Sequence, residues 1–163
     1  MRYKKAENRE LNYKQTKDKA MRLLTFRAHS EKELSDKLRR AGAKDEDIEK
    51  TLGFCREYNL VNDEEYARLK ARDLKNLKKY GSRRIAAELQ RLGVSGEDAA
   101  EALAEIDGDD EQERLYPLVQ KKLGGDFEKK NVDKCIRYFI YRGYGFGDIK
   151  ACIERAKGEF DEV

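Results

Sequence analysis

SEKELSDKLRRAGAKDEDIEKTL, residues Ser30 to Leu52, decides the fold. Leu34 and Leu38 stand one helical turn apart, and Ile48 and Leu52 repeat that spacing after Gly42, so the stretch reads as helix, tight turn, helix. Ser30 with Glu33 three residues on forms the signature of a capping box. Gly42 ends the first helix because glycine enters the left-handed conformation without a Cβ penalty. Asp47 falls in the first turn of the second helix, where its charge faces exposed N–H groups.

The same pattern is written twice more. Gly42, Gly93 and Gly143 lie 51 and then 50 residues apart. Four residues before each stand Leu38, Leu89 and Phe139, and eight before stand Leu34, Ile85 and Cys135. Six after stand Ile48, Ala99 and Ile149; ten after stand Leu52, Leu103 and Ile153; the aspartate recurs as Asp47, Asp98 and Asp148. A helix pair of this size cannot cover its own apolar stripe, so a period near fifty residues predicts tandem helical modules that share a core.

Composition agrees. In 163 residues, 42% are charged and the mean hydropathy is -0.97, values that suit an elongated all-α array better than a sphere. One proline and abundant Lys, Glu, Arg, Ala and Leu favour helix throughout. No apolar run reaches membrane-spanning length and MRYKKAENRE lacks the apolar segment of a signal peptide, so a cytoplasmic location is expected. Cys55, Cys135 and Cys152 form no C-x-x-C pair and lie on or beside apolar stripes; they read as reduced core thiols, and with one histidine in the chain no metal or other cofactor is expected.

Along the chain, residues 1–15 read as a basic tail, 16–60 as the first module, 61–107 as the second, 108–158 as the third and 159–163 as a C-terminal tail. Helices are predicted at about 16–28, 30–40, 45–58, 62–79, 82–92, 97–106, 128–141 and 147–157, the fourth with Tyr66, Ala67, Leu74 and Leu77 as its apolar residues. Residues 107–110 make a turn and acidic cap for a further helix, in which Pro117 should produce a bend or a restart. Charge alternates with the modules: residues 1–40, 68–93 and 118–157 are net basic, 41–67 and 94–117 net acidic. Basic segments aligned along one flank would favour a long polyanionic or acidic partner.

Catalytic chemistry finds little material. His29 precedes the Ser30 cap with no nucleophile or orienting carboxylate nearby and reads as a solvated or capping residue. The pairs Asp109–Asp110 and Glu64–Glu65 lie where helix starts favour negative charge. Arg142 to Ile149, RGYGFGDI, approaches the aromatic strand signature of RNA-recognition domains but departs from it at Gly147 and Ile149, and Gly143 is already the third module turn. Tyr138, Phe139, Tyr141, Tyr144 and Phe146 could stack bases, but read better as the packed cap of a helical array.

Three stretches resemble the RecX family of bacterial regulatory proteins. Phe26 to Leu34 with Lys37 and Leu38 is similar to its R-x-x-S-x-x-E-L-x-x-K-L segment. Asn62 to Ala67, continuing through Tyr80 to Ile85, Glu88, Leu89 and Leu92 to Val94, is similar to its central segment; Arg137 to Tyr144 with Ile149 resembles its closing R-[FY]-L-x-x-R-G-[FY] segment. Asn62 replaces the first of two usual aspartates, Leu92 stands where lysine is common, and Pro117 is unusual for its helix.

The resemblance implies three tandem three-helix modules in a curved array lying in the groove of the RecA filament on single-stranded DNA. It implies no enzymatic activity but inhibition or remodelling of that filament by a monomer, with lowered ATPase, strand-exchange and coprotease activity, in recombination and the DNA-damage response. Direct DNA contact is possible on this reading. The expected contacts are Lys37, Arg39 and Arg40 on the first module, Arg72, Lys79, Arg83, Arg84 and Arg91 on the second, and Arg137 and Arg142 on the third, through charge-assisted hydrogen bonds to carboxylate or phosphate; Arg142 reads equally as a helix C-terminal cap paired within its module. The alternative is an autonomous nucleic-acid-binding helical protein that acts on DNA without RecA.

Overall fold

A computed structural model describes residues 9–107 and 110–162. Among them the chain forms nine α-helices: α1 (Tyr13–Phe26), α2 (Glu31–Arg40), α3 (Asp45–Glu57), α4 (Asp63–Asn76), α5 (Ser82–Arg91), α6 (Gly96–Ile106), α7 (Glu111–Leu123), α8 (Lys129–Tyr141) and α9 (Phe146–Asp161). The fold is all-α, with tandem three-helix groups α1–α3, α4–α6 and α7–α9. No strand forms among the described residues; Leu11 and Ala43 make an isolated bridge.

The helix starts are fixed by local chemistry. Asn12 and Gln15 close a capping box at α1, and Ser30 and Glu33 close another at α2. The Ser95 and Asp110 side chains cap α6 and α7, and Asp47, Asp98 and Asp148 sit in the first turns of α3, α6 and α9. Eleven of the twelve apolar positions in register with the three glycines are buried, Leu103 being half-buried.

Two compact units divide the chain, the first comprising residues up to Tyr66 with Leu92–Val94, the second Ala67–Arg91 with the rest from Ser95 onward. Ala20, Leu34, Leu38, Ile48, Leu52 and Cys55 centre the core of the first. In the second, Leu115, Val119 and Leu123 of α7 pack with Phe139 of α8 and Ile149, Cys152 and Ile153 of α9.

A recurring joint holds these groups. In the first unit the Ser30 hydroxyl donates to the Leu92 carbonyl, and Lys32 lies where a Cβ on Gly93 would fall. In the second unit, 51 residues on from Ser30, the Gly81 N–H donates to the Arg142 carbonyl at 2.8 Å and the Arg83 N–H to the Gly143 carbonyl at 3.2 Å. The start of a module's second helix thus seats on a turn glycine. At Gly42 the same place is taken by the segment before α1, where the Leu11 N–H donates to the Gly42 carbonyl at 3.0 Å. All three turn glycines have positive φ, +101°, +86° and +96°, a region costly to residues with a Cβ.

Several expectations are corrected. Helix α1 begins at Tyr13 because Asn12 caps it, and α9 runs on to Asp161; residues 1–8 of the expected tail, and positions 108 and 109 of the turn at 107–110, lie outside the described residues. Helix α4 stops at Asn76 rather than near Lys79. Lys79 adopts a left-handed φ of +57° and the Tyr80 N–H returns to the Leu74 carbonyl at 3.1 Å, which turns the chain toward Gly81. Leu77 therefore leaves the helix and is 75% exposed.

Helix α7 runs through Pro117 without a restart. The ring removes one N–H donor, but Leu115, Tyr116, Val119 and Leu123 anchor both sides of it in the core. Phe146 and Gly147 lie in α9, so RGYGFGDI forms a turn and a helix start, not a strand.

Gly143→Ala would bring a Cβ within 2.3 Å of the Arg84 backbone nitrogen, whereas Gly147→Ala meets nothing within 4 Å. Thermal or urea unfolding should show Gly143→Ala destabilised by about 3 kcal/mol or more and Gly147→Ala neutral or slightly stabilised.

Candidate partner-binding surface

The first RecX-like stretch is mostly structural. Arg27 grips Glu33 through two guanidinium nitrogens at 3.2 and 3.1 Å, and the Tyr66 hydroxyl donates to the same carboxylate at 3.0 Å. Burial alone would raise the Glu33 pKa, but the bonds from Arg27 and Tyr66 outweigh it and hold the carboxyl below its usual range. Burial, reinforced by the Glu33 charge, pushes the Tyr66 phenol up to about 12.

His29 is 2% exposed, which corrects its reading as a solvated residue. Its Nδ1 lies 2.9 Å from the Arg27 carbonyl and its Nε2 2.9 Å from Lys37 Nζ, an arrangement satisfied by the neutral ring with its proton on Nδ1. Burial first, then the Arg27 and Lys37 charges, lowers its pKa despite the bond to the Arg27 carbonyl. The predicted contact residue Lys37 is therefore engaged inside the unit. Arg39 pairs with Asp45 and Asp36; Arg40 is exposed and forms no ion pair among the described residues.

The second unit gathers more of the predicted residues. Arg142 caps α8, donates a guanidinium N–H to the Lys78 carbonyl, and lies 5.1 Å from the Tyr80 ring centroid and 5.4 Å from that of Tyr138. Arg84 lies 5.2 Å from the Tyr80 centroid and 4.8 Å from that of Tyr141, and pairs with Glu88. Such cation–π contacts orient the guanidinium groups and leave N–H edges available. Lys79 stands between these groups in the linker, its carbonyl accepting from the Tyr144 hydroxyl at 2.8 Å.

Lys79, Arg84 and Arg142 thus meet around Tyr80 at the joint. Arg83 and Arg137 are exposed and unpaired among the described residues. Arg72 is drawn to Glu105 and Arg91 to Glu88, away from that cluster.

The aromatic cluster also splits. Phe139 and Tyr144 are buried, while Tyr138, Tyr141 and Phe146 are 41%, 71% and 55% exposed; only two of the five form the expected packed cap. Lys121 and Lys122, absent from the sequence-based set, join Lys79 and Arg142 around a recess of about 350 Å³ floored by Tyr138 and Phe139. Their adjacency at the end of α7, just before Gly124 and Gly125, was the signal available.

Residues 17–55 match the first three-helix domain of RecX and residues 62–103 the second. The regulatory protein RecX of Cronobacter sakazakii is 33% identical over 158 residues, covering 90% of this chain and 94% of that protein. The chain belongs to the RecX family.

The regulatory protein RecX of Clostridium perfringens strain 13 is 32% identical over 145 residues, covering 85% of this chain and 67% of that protein. The crystal structure of RecX from Lactobacillus salivarius superposes with a TM-score of 0.75 at 22% identity, over 93% of this chain and 97% of that one, a likeness of fold. Within the RecX frame the R-x-x-S-x-x-E-L stretch is explained by Arg27, Ser30 and Glu33 holding a cap and an ion pair. Among the described residues no helix is long and apolar enough to cross a membrane. All three cysteines are buried and unpaired.

Because the Glu33 pKa is depressed by folding, its stabilisation is present above the usual 4.5 and is lost as pH falls through the lower folded-state value. Glu33→Gln should cost about 2 kcal/mol at pH 7, with denaturation curves of variant and wild type converging below pH 4.5.

Proposed function

We propose that this RecX-family chain regulates the RecA recombinase, binding the RecA filament on single-stranded DNA along its groove and inhibiting or remodelling it. Family membership carries this reading, and the surface chemistry supports it. The protein acts without chemistry of its own, as a cytoplasmic monomer, in recombination and the DNA-damage response. ATP hydrolysis, strand exchange and coprotease activity of the filament fall as it binds.

The ten expected contacts do not weigh equally. Arg40, Lys79, Arg83, Arg137 and Arg142 hold no carboxylate among the described residues, so each offers its charge to filament carboxylate or DNA phosphate at little cost. Arg39, Arg72, Arg84 and Arg91 are already paired and would exchange one carboxylate for another, a small gain at an exposed site. Lys37 would first have to leave His29.

Added to RecA on single-stranded DNA, the wild-type protein should slow ATP hydrolysis. Arg83→Glu combined with Arg137→Glu should raise the half-inhibitory concentration by about tenfold or more, while Arg91→Glu should change it less. Unchanged hydrolysis at a molar excess of wild-type protein would reject the proposal. Equally tight, salt-sensitive binding to DNA without RecA would favour the autonomous DNA-binding reading instead.

A further inference from the structure

Lys79, Lys121, Lys122 and Arg142 line one recess of about 350 Å³. They arrive from three places: the linker after α4, the last turn of α7 and the cap of α8. None of the four has a carboxylate partner among the described residues. Elsewhere in the same unit Arg84, Arg91, Arg114 and Arg155 each hold one.

Two of the cations, Lys122 and Arg142, lie against aromatic faces. Lys122 Nζ lies 4.2 Å from the Tyr138 ring centroid, and Arg142 lies near both Tyr80 and Tyr138. The C-terminal dipole of α7 accounts for lysines in its last turn. It does not account for Lys79, held at the rim by a left-handed backbone, or for Arg142, fixed by its bond to the Lys78 carbonyl. Four converging like charges repel one another, and an anion in the recess relieves that repulsion.

We infer that this recess is a binding site for a nucleoside polyphosphate. Leu118, Tyr138 and Phe139 also line it, and Tyr138, 41% exposed where Phe139 is buried, is the ring within reach of a base or ribose. The recess volume falls in the range of small-ligand pockets, roughly 300–1,000 Å³. A nucleic-acid strand brings about one charge per phosphate, whereas a triphosphate brings several into a single small volume, as four clustered cations require. This assignment uses Lys79 and Arg142, which the regulatory proposal also offers to the filament, but it requires neither RecA nor DNA.

Isothermal titration calorimetry of the full chain, without RecA or DNA, tests it. ATP should bind saturably at one site, AMP should bind about tenfold more weakly or worse, and Lys121→Gln with Lys122→Gln should weaken ATP by about tenfold or more. Both lysines are exposed, so the melting temperature of that variant should not move; Arg142 is left intact because it holds the linker. Absence of saturable ATP binding overturns the assignment, as does ATP binding that the double variant leaves unchanged. A thymidine oligonucleotide that binds more tightly than ATP and displaces it overturns it too, assigning the recess to a strand. No RecA enters the experiment, so failure here leaves the regulatory proposal standing.

Discussion

The structure depends on how a helix start seats on a glycine turn. A three-helix group cannot bury its own apolar stripe, so it needs a neighbour at a fixed distance. Ser30 on Leu92 and Gly81 on Arg142 supply that distance at the same place in the repeat, by hydrogen bonds to the last carbonyls of a helix that would otherwise lack partners. The turn glycines let the chains approach: a Cβ at Gly143 would meet the Arg84 backbone, and one at Gly93 the Lys32 side chain. Leu34 and Leu38 in the first unit, and Ile85 and Leu89 in the second, are buried.

Electrostatics are organised around what the joints leave over. The chain carries 36 Lys and Arg against 33 Asp and Glu, and most arginines with a short path to a carboxylate have taken it. Arg27 with Glu33, Arg56 with Glu31 and Arg155 with Glu113 tie helices together. The joint in the second unit is different: it places Lys79 and Arg142 beside tyrosines instead of acids. The charges able to recruit a partner are those the folded chain has not consumed.

The helical repeat was legible because it is written in hydrophobic spacing, capping residues and glycine, all of which act locally. Leu34 to Leu52 carry all three signals within one short stretch. The linker 77–81 was not legible, since nothing about Lys79 announces a left-handed backbone; its conformation is imposed by Tyr144 and Arg142, more than sixty residues away. The division of the aromatic cluster was hidden for a related reason. Successive residues on a helix point in different directions, so Phe139 enters the core while Tyr138 beside it remains at the surface. His29 was misread because its place before a helix cap does not reveal that its ring lies between the Arg27 carbonyl and Lys37. Of the candidate site, the cations before and within motifs were visible, but their sorting into paired and unpaired groups is a property of tertiary contacts.

In the second unit the joint is made by main-chain atoms: Gly81 and Arg83 offer N–H groups, Arg142 and Gly143 offer carbonyls. These bonds do not depend on side-chain identity, although the Arg142 side chain also holds the linker through the Lys78 carbonyl. A scaffold fastened in this way can keep its shape while its sequence diverges widely, as a TM-score of 0.75 at 22% identity illustrates. Its exposed faces are then free to be rewritten for new binding tasks, one repeat at a time.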